Sequence, residues 1–257
     1  MLRAAILAST LIPAAAMAQE APDIGSPDLV FTLRGGASVA PGYFGSKEYE
    51  VGPDASFSLQ YLRLGKFEFG DADPLAKRYG FGLRGSFRYI GKRDPADYPE
   101  LAGLSVVDQS VELGMGIGYT APNVQAFADV RYGVIGHESW VGEAGIDAVF
   151  NPTPDLRLRA GPRVFWGDNR YARTYFGVTA AESGASGLAA YTPSGGALSA
   201  GIELGAFYAL NDEWGIDSAL TWTRLTGDAG ASPIVAQGDR DQFKLRVGLT
   251  KRFSFNF

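Results

Sequence analysis

The chain has 257 residues, a net charge of -5, no cysteine, one histidine and 34 glycines, with aromatic residues at 12%. The lack of cysteine excludes disulfide staples, and the slight acidity gives no support for nucleic acid, whose partners carry basic faces. High glycine with plentiful aromatics suits close-packed strands better than helices, which each glycine weakens by about 1 kcal/mol.

The opening stretch MLRAAILASTLIPAAAMAQE carries one positive charge at Arg3, an apolar run through Ala16 and the small-x-small site Ala16-Met17-Ala18. This predicts a secretory signal peptide over residues 1–18, cut between Ala18 and Gln19 and read by the Sec pathway, leaving 19–257 as one domain. The run is short and holds Pro13, which argues against a membrane-anchoring helix, and no run of about twenty apolar residues follows.

From there the dominant signal is alternation at 180° per residue, the mark of a strand with one apolar and one polar face. Residues 29–39 and 51–61 alternate in this way. The stretch YLRLGKFEFG changes parity around Leu62, which fits either a bulge or a hairpin. In 80–91, Phe81, Leu83, Phe87 and Tyr89 oppose Arg84, Ser86 and Arg88. In 105–120, Val107, Val111, Leu113, Met115, Ile117 and Tyr119 oppose Asp108, Ser110 and Glu112. The turn APN leads to 124–134, with Asp129 and Arg131 on the polar face, and then to 139–150, with Glu143 and Asp147 there. After NPTPD, Arg157, Arg159 and Arg163 share a face. Leu198 and Leu204 oppose Ser199 and Glu203, and across ND, Trp214 and Trp222 oppose Asp217 and Thr221.

The end, KLRVGLTKRFSFNF, sets Leu245, Val247, Leu249, Phe253, Phe255 and Phe257 against Lys244, Arg246 and Arg252, and only Lys251 breaks the apolar face. At about fourteen residues it exceeds the usual strand of soluble sheets. Short and long links alternate in the second half: APN, NPTPD and ND are tight, whereas 91–104, 167–196 and 225–241 are long and rich in Gly, Pro, Asp and Ser. Transmembrane barrels have that asymmetry. The reading is an all-β fold, a single closed antiparallel transmembrane β-barrel of about 10–12 strands, with about 12 preferred. In such a barrel apolar residues meet lipid and polar ones fill the lumen, the inverse of a soluble sheet.

The inversion sends Arg84, Arg88, Arg131, Arg157, Arg159, Arg163, Lys244 and Arg246 inward, with Asp108, Glu112, Asp129, Glu143, Asp147, Glu203, Glu213 and Asp217 facing them. Near balance of sign argues for an ion-pair network packing a narrow lumen, since a selective pore would show an excess of one sign. Lys251 should be costly on the lipid side unless it snorkels. GFGLRG has GxGxxG spacing but continues as strand, so it fails as a nucleotide loop. SGASG fails the nucleophile-elbow spacing. His137, in GHESW, is expected at a surface or lumen rim, not in a catalytic role. No cofactor or metal site is expected.

Three stretches resemble the MipA/OmpV family of Gram-negative outer-membrane proteins: GGASVAPGYFGSKEYEVGPDASF, AGPRVFWGDNRYARTYFGVTAAESGASGLAAYTPSGG and the aromatic C-terminus. The block at Tyr175 to Val178, Ser186 to Leu188 and Tyr191 is the most specific element. The resemblance implies an outer-membrane β-barrel without catalytic residues, surrounded by outer-membrane lipid. It also implies a scaffolding role, the name-giving member being described as linking a murein lytic transglycosylase to a penicillin-binding synthase. A narrow porin for small solutes is the alternative, and a barrel hydrolase relying on His137 a third. Phe253, Phe255 and Phe257 are expected to form the C-terminal signal read by the barrel-assembly machinery.

Overall fold

The computed structural model describes residues 27–70 and 79–257, so the signal-peptide reading with Ala18 and Gln19 lies outside the described residues. The alternating segments are strands β1 (Leu29–Pro41), β2 (Tyr49–Leu64), β3 (Phe67–Gly70), β4 (Gly80–Ile90), β5 (Ser110–Ala121) and β6 (Val124–Ile135). They continue as β7 (Trp140–Phe150), β8 (Leu156–Gly167), β9 (Gly196–Ala209), β10 (Trp214–Leu225) and β11 (Asp241–Phe255). All belong to one sheet in the order β3-β2-β1-β11-β10-β9-β8-β7-β6-β5-β4. Every neighbouring pair is antiparallel, and β1 pairs with β11 from Leu29↔Phe255 to Val39↔Leu245. The sheet curls until β2 comes alongside β4, giving a nearly closed barrel. No helix among the described residues is long and apolar enough to cross a membrane.

Ten of the strands are long and β3 has four residues, so the preferred count of twelve is corrected. Two of the long links hold helices: segment 168–195 forms α1 (Asn169–Phe176) and α2 (Ala180–Ser186), and segment 226–240 holds the short α3 (Gly227–Gly230). The parity change near Leu62 has two sources. The β1–β2 register shifts at Val30/Phe31, and β2 turns into β3 through Gly65, whose φ of 61° suits a residue without Cβ.

Burial runs opposite to that of a water-soluble sheet. Outward Phe81, Met115 and Phe150 are 81%, 67% and 65% exposed, while inward Glu112, Arg131 and Asp147 are 0%, 2% and 3% exposed. Hydrophobic transfer cannot favour such a surface in water, where each large apolar side chain left exposed forfeits about 1.5–3 kcal/mol. An outward face of this kind matches the pattern of barrels whose walls meet hydrocarbon. Lys251, on the outward face, pairs in register with Trp214, lies 4.7 Å from that ring's centroid and reaches Glu213 at 4.0 Å. Its stem covers aromatic surface and its ammonium meets the turn before β10, as snorkelling requires. Glu213 therefore sits in that turn, not in the lumen.

Tight curvature also explains some of the glycine. At inward Gly161 an added Cβ would overlap the Ile146 carbonyl oxygen, and at inward Gly116 it would overlap the Asp129 carboxylate. Pro162, with no N–H to give, follows Gly161 where the β7–β8 ladder lapses between Gly145↔Arg163 and Ala148↔Ala160 with no change of register.

The two ends of the barrel differ. Short turns join β5 to β6, β7 to β8 and β9 to β10 at one end. At the other, segments 42–48, 91–109, 136–139, 168–195 and 226–240 pack over the mouth. Two apolar clusters form there, one around Tyr171, Tyr175, Phe176 and Val235, the other around Tyr43, Tyr98, Leu101 and Ile234. Asp108 belongs to this end: β5 starts at Ser110, because Val107 leaves the expected strand to bridge Arg93 and pack against the first cluster.

Candidate functional site

Strand register stacks the inward charges in layers. Near the long-loop end, Arg131 of β6 is a three-way bridge: Nε to Glu112 at 2.8 Å, Nη2 to Glu143 at 3.0 Å, and Nη1 donating to Ser86 Oγ at 3.0 Å. Ser86 donates onward to Asp129, which Arg84 meets at 3.2 Å. Arg88 lies 3.9 Å from Glu112 and donates to the Tyr171 hydroxyl at 3.0 Å, with its guanidinium 4.5 Å from the Phe165 ring centroid.

A second layer sits lower. Asp217 of β10 is held by Arg34 at 2.8 Å, by Arg159 at 3.9 Å and by a short bond from Arg246. Glu203 of β9 is shared by Arg159 and Arg163, each at 3.2 Å, and by Arg246 at 3.8 Å. Arg163 also meets Asp147 at 2.8 Å, and Asp54 takes Arg34 at 2.6 Å and Lys244 at 3.4 Å. Charges this dry are tolerated only when each has several partners. Arg34 and Asp54 were absent from the expected set, although both stand on the inward parity of β1 and β2.

Besides Glu213, two expected members stand outside the network. Asp108 is exposed in the loop before β5, where no inward face exists. Arg157 faces the lumen but is exposed at the short-turn end, bonded to Asn151 at 3.4 Å with no ion pair among the described residues.

His137 also departs from expectation, being buried rather than at a rim. Its Nδ1 is 2.6 Å from Ser139 Oγ and its Nε2 is 3.2 Å from Glu112, while its ring meets Tyr171 edge-on at 5.1 Å. Ser, His and Glu in a chain invite a catalytic reading. Ser139 and His137 are 1% and 4% exposed, however, and neither lines the lumen cavity, so the arrangement reads as packing. The trio ties β5 to the loop after β6 and gives α1 a surface to pack on.

That helix stops the lumen. Asp168 caps it by accepting from Tyr171 N at 2.8 Å, and its Tyr171, Ala172, Tyr175 and Phe176 are all buried, one face at helical spacing. Tyr175 donates to Ser110 Oγ at 2.9 Å, and buried Arg93 donates to the Tyr175 carbonyl at 2.9 Å, closing the helix end. Below the plug a cavity of about 1350 Å³ runs from the Ser86, Arg131 and Glu143 layer to the short-turn end at Pro122, Asn151 and Arg157.

The next helix adds a pH-sensitive clasp. Thr179 and Glu182 form a capping box, and Glu182 accepts from Thr179 N at 2.8 Å and from Ser105 N, in the loop before β5, at 2.9 Å. Burial pushes the Glu182 carboxyl up, but these N–H donors outweigh it and hold it down at about 2. A lowered carboxylate contributes stability above its unfolded value and loses it as pH falls toward the folded one. The stability gap between the native chain and Glu182→Gln is therefore expected to shrink between about pH 5 and about pH 2, read by urea unfolding in detergent. A gap independent of pH would rule out the clasp.

Comparison with known proteins adds a family. The model described as MltA-interacting protein MipA matches residues 33–253. Among solved structures, the chain is similar to Neisserial surface protein A (NspA), at 9% identity over 87% of this chain and 97% of that one, with a TM-score of 0.33. It is similar to the NanC porin at 8% identity, over 89% and 100%, with a TM-score of 0.35. It is also similar to Pseudomonas putida OprB at 9% identity, over 77% and 49%, with a TM-score of 0.36. No curated protein matches the chain.

Proposed function

The chain belongs to the MltA-interacting protein MipA family, and from that premise we propose a non-enzymatic outer-membrane β-barrel that holds peptidoglycan-remodelling enzymes at the envelope. The observation that carries the barrel half is the inverted burial, with apolar side chains outside and ion pairs inside. The family description supports a lytic transglycosylase as the first candidate partner, and the penicillin-binding protein as second client follows from the family resemblance alone. Crosslinking in intact envelopes followed by mass spectrometry is expected to recover a lytic transglycosylase with this chain. Recovering only lipid and neighbouring barrels would remove the scaffold role. Recovering the protein as a detergent-free soluble monomer would remove the barrel itself.

The C-terminus fits assembly into a membrane. Phe253 and Phe255 stack on Phe31 at 5.1 and 5.9 Å across the β1–β11 pair, and Phe257 is 73% exposed beyond the strand. This outward aromatic row is the proposed assembly signal. A chain ending at Asn256 is expected to insert less efficiently in cells, and an unchanged yield of inserted barrel would exclude Phe257 from that role.

A second reading, a narrow channel, is favoured by the cavity and opposed by the plug above it.

A further inference from the structure

Four aromatic rings gather on the outer wall at the short-turn end. Phe31 of β1 touches Phe57 of β2 at 5.5 Å and Phe253 and Phe255 of β11 at 5.1 and 5.9 Å, all on the face read as meeting lipid. Lipid tails are as apolar as the rings, so packing them together gains little there from the hydrophobic effect. Beside the cluster, buried Asp28 is a junction. Its Oδ2 accepts from Phe257 N at 2.8 Å and its Oδ1 from Arg63 Nε at 2.7 Å. Its own N–H donates to the Phe255 carbonyl at 2.8 Å, and its carbonyl accepts from Arg63 N at 2.6 Å. Phe31 and Asp28 therefore engage, from the β1 side, all three residues of the proposed assembly signal.

The order of pairing follows from chain connectivity. Every other ladder of the sheet joins strands consecutive in the chain, whereas the β1–β11 ladder joins residue 29 to residue 255. Closing the longest loop costs the most entropy, so this ladder forms last. Until it does, β11 carries an edge of unpaired N–H and C=O groups, which hydrocarbon penalises, and its phenylalanine row is uncovered. The group that satisfies such an edge is another strand, added in register by main-chain hydrogen bonds with side-chain contacts giving the specificity.

We propose that the free edge of β11 first pairs with an exposed strand of the barrel-assembly machinery, and that Phe31 and Asp28 of β1 then displace that strand. The inference rests on the assembly-signal reading, since the row read on arrival is the row that β1 covers on departure. β1 brings the in-register ladder from Leu29↔Phe255 to Val39↔Leu245, the ring contacts of Phe31 and the carboxylate bond to Phe257 N. Capture and release thus compete for one surface, and the β1 residues decide the release.

The test follows the full chain in cells, with a photo-crosslinker placed at Val247, outward on β11, and heat-dependent gel mobility scoring the closed barrel. Asp28→Ala and Phe31→Ala are expected to crosslink to the assembly machinery as readily as the native chain and then to remain there. The ratio of released to captured barrel should fall about tenfold in Asp28→Ala, the loss of one charge-assisted bond. Asp28→Asn, which keeps an acceptor for Phe257 N, should recover part of the release. Leu33→Ala, outward on β1 opposite Lys251, should release like the native chain. Native release by both Asp28→Ala and Phe31→Ala, or equal retention of Leu33→Ala, would overturn the displacement. Folding of the processed chain in nonionic detergent separates release from stability. Asp28→Ala is expected to reach native yield there, and a loss matching the one in cells would reduce Asp28 to a stabilising contact and overturn the inference. Phe255→Ala tests the reading underneath, because it should lower capture itself. Normal capture of Phe255→Ala would remove the signal, whereas impaired capture of Phe255→Ala beside normal release of the β1 variants would remove the displacement alone.

Discussion

Replacing Arg131 with methionine is expected to lower the stability of the folded barrel by about 3–5 kcal/mol, the usual cost of leaving a buried ion pair half-made. Arg131 is the one group that touches Glu112, Glu143 and Ser86 together, at 2.8, 3.0 and 3.0 Å. Glu112 is fully buried and cannot turn to water when its partner goes. Arg88 at 3.9 Å and His137 at 3.2 Å stay beside it, which keeps the loss toward the lower end of that range. Glu143, with its side chain 32% exposed, recovers part of its hydration and adds less.

The control is Arg224→Met, which breaks the 2.6 Å pair with Asp241 at the barrel rim, where the arginine side chain is 52% exposed. An exposed pair contributes about 0–1 kcal/mol, so the two variants should separate clearly in urea midpoints measured in detergent. Adding Glu112→Gln to Arg131→Met should return part of the loss, since the orphaned charge is then gone. Equal midpoints for Arg131→Met and Arg224→Met would mean that the lumen network does not hold the barrel together.

What the sequence showed and concealed follows from how far apart the interacting residues lie. A strand writes its two faces into consecutive residues, so the outward row Leu245, Val247, Leu249 and the inward pair Asp129 and Arg131 were legible without a partner in view. Where the strand stopped was not. Asp108 has the parity of Glu112, yet the chain leaves the ladder before Ser110 because Val107 is drawn into the cap. The burial of His137 was hidden for the same reason: Glu112 and Tyr171 come from distant segments, and no local spacing announces them.

The plug was readable in principle. Asp168 ahead of Tyr171-Ala172 and Tyr175-Phe176 is a cap followed by one apolar face at helical spacing, but glycine and proline in the same segment mark it as loop. Lys251 shows the converse, a residue that breaks the pattern and is accommodated by a turn-end ring and a carboxylate one strand away.

Removing the plug is the change with the largest functional effect. Gly167 and Gly196 are partners in the β8–β9 register, so a short Gly-Ser link can replace residues 168–195 without pulling the two strands apart. The native chain in a planar bilayer is expected to give no steady openings, because Tyr171, Phe165 and Arg88 close the lumen above the cavity. The shortened chain is expected to give steady openings that favour anions, since arginines outnumber carboxylates along the cavity. Tyr171→Ser is the gentler companion: it keeps the helix cap at Asp168 while removing the ring that fills the mouth. It should open intermittently, with the same preference of sign. Steady conductance by the native chain, equal in step size to that of the shortened one, would show that the loops do not seal the barrel. The narrow-channel reading would then replace the scaffold, because a lumen already open needs no cap to explain its charges.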